Sequence, residues 1–255
     1  MARHGPPARA GRWRTVVRGL GQTLITLGVV ALLFVVYEVW VTDEINAGVQ
    51  QDLSQDLRGQ WDVGQDPLSP PDRSGGGPAQ IPLGEGFAFV RIPVFGPDYV
   101  RVVLEGTDED KLSEGPGHYP DSALPGEVGN FAMAGHRVGR GSPFLDLDLL
   151  VPGDAIVVET RTDWYVYRVL GNRATGDYAT PSGIPGRQIV DPSAVQVVDP
   201  VPGDPDAAPT RRLLTLTTCH PKFSARQRLI VHAELDGPVS SKSAYPDGPP
   251  ALTGR

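Results

Sequence analysis

The first strong pattern in the chain is one long apolar run, Leu20 to Val41 (LGQTLITLGVVALLFVVYEVWV). At about 1.5 Å rise per residue it crosses a hydrocarbon core of roughly 30 Å, so residues 20–41 are expected to form a transmembrane anchor. Thr42 to Gly59 is polar, with Ile45, Val49 and Leu53 at near-heptad spacing. A short helical continuation is the most that this spacing predicts, and no packing partner is evident. Gly64 to Gly86, which contains DPLSPPDRSGGGP, lacks apolar periodicity and reads as flexible linker. From Phe87 the texture changes to short alternating runs: Phe87 to Ile92, Val100 to Glu105, Asn130 to His136, Ala155 to Arg161, Trp164 to Asn172, Leu213 to Cys219 and Gln227 to Leu235. Turn signals such as Phe95-Gly96-Pro97-Asp98 and Val151-Pro152-Gly153-Asp154 separate them. Two short helical pieces are expected, Asp108 to Glu114 and Pro143 to Leu149. Thr175 to Arg211 is rich in Pro, Gly and Asp, with Val195 to Val198 its one strand-like run. The expected organisation is therefore 1–19 a basic cytoplasmic segment, 20–41 the anchor, 42–86 an extracytoplasmic linker, 87–237 a mainly β domain and 238–255 a disordered tail.

Charge sharpens the membrane reading. The formal net charge is -7, yet the first eighteen residues hold five arginines and no acid, so the remainder carries about -12. An acidic body with a short basic tip argues against nucleic-acid binding and orients the span with its N-terminus inside. A cleaved signal peptide or a buried core helix are the rival readings; the run is long for the first, and no small-residue cleavage site follows it. Many short strands with little helix predict a closed barrel or a sandwich, which composition does not separate.

The single cysteine, Cys219, excludes an intrachain disulfide and a cysteine-rich zinc site. On a strand from Leu213 to Cys219 the thiol shares a face with Thr215 and Thr217, and Pro221 stops the strand just beyond it. Arg228 opens the next strand. A guanidinium beside sulfur favours thiolate and offers fixed donors to a developing oxyanion. Of five histidines, His136 at the end of the 130–136 run is the best placed to carry a proton. For each residue a bland reading exists: a buried small hydrophobe, a satisfied histidine, a solvated arginine. Strand-end placement beside Arg228 favours chemistry for the thiol; for His136 and Arg228 the residues by themselves leave the bland reading open.

These residues resemble a known family. T-L-T-T-C at 215–219, an arginine nine residues later and G-N-F-A-M-A-G-H-R at 129–137 look like a sortase, a cysteine transpeptidase of Gram-positive surfaces. T-C-H-P-K-F-S-A-R-Q-R and G-P-G-H-Y-P at 115–120 look most like the class E sortases of actinobacteria. The resemblance spans roughly Phe87 to Asp236. It implies a sortase-like closed eight-stranded β-barrel and assigns Cys219 as nucleophile, His136 as general acid and base, and Arg228 as oxyanion and substrate stabiliser. It further implies that secreted proteins bearing an LAxTG- or LPxTG-like signal are cleaved between Thr and Gly and joined to lipid II or another peptidoglycan stem-peptide amine. Tyr119 is the expected selector of LAxTG over LPxTG, with His118 and Thr218 as further substrate-binding candidates, although strand parity turns Thr218 away from the thiol. The 175–211 connection is the place to look for the sorting-signal groove. No cofactor is expected: Asp108, Glu109, Asp110 and Glu114 read as a solvated helix face rather than the calcium site that some class A sortases carry.

Other functions weighed are a catalytically silent sortase-like scaffold, which has no need of Cys219, His136 and Arg228 together, and a pilin-polymerising sortase, which differs only in the amine. An L,D-transpeptidase is the third, but its S-H-G-C context is absent.

Overall fold

The computed structural model describes residues 10–37, 42–68 and 81–253. The expectations for residues 1–9, for the Pro/Gly-rich heart of the linker at 69–80, for 38–41 and for the last two residues lie outside the described part. Two compact units are present, residues 1–42 and 43–255. The first holds helix α1, Ala10–Val36, within which Trp13–Val35 has a mean hydropathy of 1.8 and no residue buried by protein. It is long and apolar enough to cross a membrane, as an anchor or as a signal.

The second unit is a barrel. Its strands are β1 (Gly86–Arg91), β2 (Val100–Glu105), β3 (Gly117–His118), β4 (Gly129–Ala134), β5 (Ala155–Glu159), β6 (Asp163–Val169), β7 (Arg187–Val190), β8 (Arg212–His220), β9 (Gln227–Leu235) and β10 (Ser240–Ser241). Pairing runs β6-β5-β1-β2-β3-β4-β8-β9, and β9 returns to β6 to close an eight-stranded ring. Closure removes the unpaired edges that an open sheet would present. The apolar positions of each alternating run meet inside it: Val90, Phe131, Met133, Leu214, Leu216, Leu229 and Val231 belong to one buried cluster. The runs read from sequence as strands at 100–105 and 227–235 have the observed bounds, and the others differ by a few residues at their ends.

Closure is uneven along β9. The edge of β9 away from β8 is divided: β7 takes Arg228 to Val231 and β6 takes Ala233 to Leu235. The ring is therefore splayed beside the start of β9, and the chain around β7 stands out as a wall. Within that wall Val195–Val198, expected to be strand-like, forms a 3-10 turn. Four residues between a Pro-Ser turn and Asp199-Pro200 find no free strand edge to join.

The outside of the barrel is more covered than the sequence suggested. Within the expected linker, Thr42–Asp62 is helix α2. Leu53, Leu57 and Trp61 recur every four residues and pack on Phe89, Val102 and Leu104 of β1 and β2. The same stripe continues as amides toward the helix start, where Asn46 Nδ2 donates to Ser113 O at 2.5 Å and Gln50 Nε2 to Glu114 O at 2.7 Å. Gln50 Oε1 accepts from Val102 N at 2.8 Å. The expected disordered tail is likewise docked: β10 pairs with β6, Trp164 Nε1 donates to Tyr245 O at 3.0 Å, and Ala251 and Leu252 cover Ala155, Val157 and Trp164. Both corrections have one cause. Short apolar spacings gain stability only from a distant surface that periodicity does not reveal. A one-turn helix, α3 (Glu109–Leu112), and 3-10 turns at 93–95, 147–149 and 250–253 complete the unit.

Candidate active site

Cys219 and Arg228 are cross-strand partners in the β8–β9 ladder, so their side chains leave the same face of the sheet side by side. On the other flank β8 runs parallel to β4, with Ala134 opposite Thr217 and Gly135 N donating to Thr217 O at 3.1 Å. Two residues further along both strands lie His136 and Cys219. The three residues singled out by the sequence thus come from three adjacent strands at one rim of the barrel.

The His136 end of β4 is held by close packing. A Cβ at Gly135 would sit 2.6 Å from the ring of Phe144, a fully buried core residue, so only glycine lets that ring press on the strand end. Gly135 O accepts from Thr218 Oγ1 at 2.7 Å, and His136 O accepts from Phe144 N at 3.1 Å. Arg137 is buried, donating to Leu145 O and to Asp148 Oδ1, each at 2.7 Å, which ties the turn after His136 to the 147–149 segment. Beyond it residues 139–142 all have positive φ, at 72, 52, 73 and 39°. Arg140 and Ser142, as non-glycine residues, each cost on the order of 1–2 kcal/mol there. The imidazole itself is half-buried, and its Nε2 is buried with no hydrogen-bond partner among the described residues. Burial pushes the His136 pKa down, Arg140 adds to this, and Glu109 opposes it. His136 is therefore neutral near pH 7, with a ring nitrogen unused.

Cys219 is free and partly exposed. Arg228 donates through Nη1 to Ala225 O at 3.1 Å and Gln227 O at 3.2 Å. Those bonds fold the guanidinium back over its own turn and leave Nη2 and Nε free of partners among the described residues. Arg226, two positions earlier, is exposed in the connection before β9.

On the same face as Cys219, Thr217 receives the phenol of Tyr119, with the two oxygens 3.1 Å apart. Tyr119, Thr217, Arg228 and Ile230 form the floor, and Val190 to Val198 the wall, of a cavity of about 90 Å3. Of Cys219, His136 and Arg228, only Arg228 lines this cavity, and none of the three lines the wider concavities of about 380 and 390 Å3 along α2. Thr217 was not singled out from the sequence, although its strand parity with Cys219 carried the signal.

The two remaining candidates lie elsewhere. His118 is 1% exposed, with Nδ1 2.7 Å from Glu105 Oε2 and Nε2 2.8 Å from Ser122 Oγ, and it packs edge-on against Phe87. Thr218 faces inward and its hydroxyl is taken by Gly135 O. Both brace the site and neither reaches the groove. A Gly/Pro-rich surrounding made His118 look like a loop residue, whereas a two-residue strand carries it into the core.

Comparison with known proteins places this arrangement in a family. A sortase-domain model matches residues 90–236. Sortase SrtE1 of Streptomyces coelicolor is 35% identical over 225 residues, which make up 86% of this chain and 56% of that protein. SrtE2 of the same organism is 32% identical over 226 residues, covering 85% and 80%. The chain thus spans little more than half the length of SrtE1. Among solved structures, the SrtF sortase of Corynebacterium diphtheriae superposes with a TM-score of 0.59 at 43% identity, covering 67% of this chain and 93% of that one. The structure of Sortase E1 from Streptomyces coelicolor with a tripeptide in the active site gives 0.55 at 33% identity, with coverages of 66% and 97%. With the closed barrel, the strand-end Cys219 and the sequence likeness to class E relatives in agreement, the chain belongs to the sortase family.

Proposed function

We propose that this chain is a membrane-anchored transpeptidase that cleaves an LAxTG- or LPxTG-like sorting signal between Thr and Gly and transfers the threonine carboxyl to a cell-wall precursor amine. The observation that carries the reading is the pairing of Cys219 with Arg228 beside β4, with His136 two residues beyond that strand's last pair. A solved relative with a tripeptide in its active site supports a peptide as the occupant of the groove.

The chemistry derives from the three groups. Neutral His136 takes the thiol proton of Cys219, and the thiolate attacks the threonine carbonyl carbon. The carbonyl oxygen becomes an oxyanion beside Arg228, whose free N–H groups stabilise it. As the intermediate collapses, the C–N bond breaks and the imidazolium proton goes to the departing glycine amine, leaving a thioester. The incoming amine then attacks that thioester, gives its proton to His136 and displaces the sulfur, so a new amide replaces the old without an external energy source. Burial of His136 serves this cycle, because a base that is neutral at rest accepts the first proton. Tyr119, bonded to Thr217 within the groove, is the residue assigned to discriminate alanine from proline in the signal. The apolar run at 20–41 keeps the barrel at the outer membrane surface, where secreted clients and lipid-linked amines meet.

The test uses the full-length chain in detergent with LAxTG and LPxTG peptides and excess triglycine, read by mass spectrometry. Cleavage after Thr with capture of the amine is expected, with both products lost in Cys219→Ala and the preference between peptides altered in Tyr119→Phe. A folded parent that forms neither product nor thioester with either peptide overturns the reading and favours the binding-scaffold alternative.

A further inference from the structure

Beneath the groove runs a chain of polar side chains that the reaction does not use. Asn130, Thr215 and His232 are 1%, 0% and 0% exposed. Thr215 Oγ1 lies 2.7 Å from Asn130 Oδ1 and 2.8 Å from His232 Nδ1. His232 Nε2 lies 3.1 Å from Gln188 Nε2, and Asn130 Nδ2 donates to Asp199 O at 3.0 Å. One assignment satisfies every atom. An amide oxygen only accepts, so the Thr215 hydroxyl donates to Asn130. It therefore accepts from His232 Nδ1–H, which leaves Nε2 bare to accept from the Gln188 amide. The imidazole is neutral, consistent with burial pushing its pKa down to about 4.

The two ends of this chain are the two feet of the groove wall. Gln188 lies in β7, whose ladder to β9 ends at Val190. Asp199 closes the 195–198 turn. From Asp191 to Val198 the backbone hydrogen bonds are local, as in Ala194 N to Asp191 O and Val197 N to Ala194 O, and none reaches the barrel among the described residues. The far foot is thus fastened to the barrel through Asn130, and the wall residues Val190, Asp191, Val195 and Val197 face Tyr119, Thr217 and Arg228 across the cavity.

We infer that the buried relay Gln188–His232–Thr215–Asn130–Asp199 positions the groove wall and thereby sets affinity for the peptide signal, apart from the chemistry at Cys219. Its members are positioning residues. None touches the substrate, and each hydrogen bond lost loosens the wall toward solvent. The inference rests on the transpeptidase reading for its kinetic half alone.

The test compares the full-length parent with Asn130→Asp, which keeps the acceptor for Thr215 but removes the donor to Asp199, and with Gln188→Leu at the half-buried near foot. Amide hydrogen exchange without peptide is measured first, then KM and kcat for the LAxTG peptide. Exchange at 191–199 is expected to rise in Asn130→Asp while β4 and β8 stay protected, and KM is expected to rise about tenfold with kcat within twofold, as befits one lost buried hydrogen bond. Gln188→Leu is expected to show the same split at about threefold. Unchanged exchange across 191–199 in both variants overturns the inference, as does a fall in kcat at constant KM. If Asn130→Asp loses protection throughout the barrel, Gln188→Leu alone decides by the same criteria. Should the parent cleave no peptide, the exchange result still decides whether the relay holds the wall, so failure of the function and failure of the relay read differently.

Discussion

The two ends of the barrel treat polar groups in opposite ways. At the rim, among the described residues, His136 Nε2 is buried without a partner and the Arg228 side chain bonds only to backbone carbonyls of its own turn, and residues 139–142 adopt a left-handed run. The far end is reached along β6, which pairs with the end of β9 remote from Arg228. There the buried Glu159 carboxylate accepts from Arg91 Nε and Nη2 at 2.9 and 2.7 Å and from Lys242 Nζ at 2.7 Å, with Arg58 3.6 Å away. Lys242 also sits 4.3 Å over the Trp61 ring. Burial alone would raise the Glu159 pKa, yet Lys242 and Arg91 hold it below the usual carboxylate range. For Lys242 burial wins over the same pairing, and its pKa falls. The indole nitrogen of Trp61 is the exception in this cluster, buried without a partner among the described residues. The difference separates saturated groups that fasten α2 and the tail to the barrel from unsaturated ones left available to a substrate.

The largest effects should come at the rim and leave stability alone. His136→Gln is expected to lower kcat/KM about a thousandfold and Arg228→Ala about a hundredfold or more, each with a thermal midpoint near the parent's. A large drop in midpoint for either would break the contrast. Between the two ends, His232 supplies a pH dependence of stability. Its pKa is about 4 in the fold against an ordinary value of 6.5, so between these values the unfolded chain binds a proton that the folded chain does not. The stabilisation is full above about pH 6.5 and is lost as pH falls toward 4, up to about 3 kcal/mol. Urea titrations across that range should show the slope in the parent, and a flatter one in His232→Leu. Glu159→Gln should cost about 2 kcal/mol by leaving Arg91 and Lys242 underpaired, with kcat unchanged at temperatures where the variant is folded. A change in kcat there would show the two ends to be coupled. Smallest of all, Arg226→Ala should alter kcat/KM by less than twofold, which sharpens the choice of Arg228.

Much of the rim was legible in advance, because strand parity is local. Cys219, Thr217 and Thr215 alternate on one face, Arg228 begins the next alternating run, and each fact needs only a period of two. His118 and Thr218 show where local reading fails. Both lie within motif-like stretches, but one is drawn into the core by a two-residue strand and the other is spent on Gly135 O. The relay under the groove was invisible for a related reason: Asn130, Thr215, His232 and Gln188 sit on four strands, and nothing in their spacing links them.

Alternation, turn residues and the apolar run from Leu20 determined by themselves that a strand-rich domain follows an apolar helix, and that a thiol, a guanidinium and an imidazole lie at strand ends. Those properties depend on neighbours along the chain. Tertiary structure alone decided that the ring closes through β6 and β9, that β7 departs to build a wall, and that α2 and the C-terminal segment dock on the barrel's outside. Each of those outcomes depends on which distant surface is left uncovered once the strands have paired, and that is a property of the assembled barrel rather than of any segment.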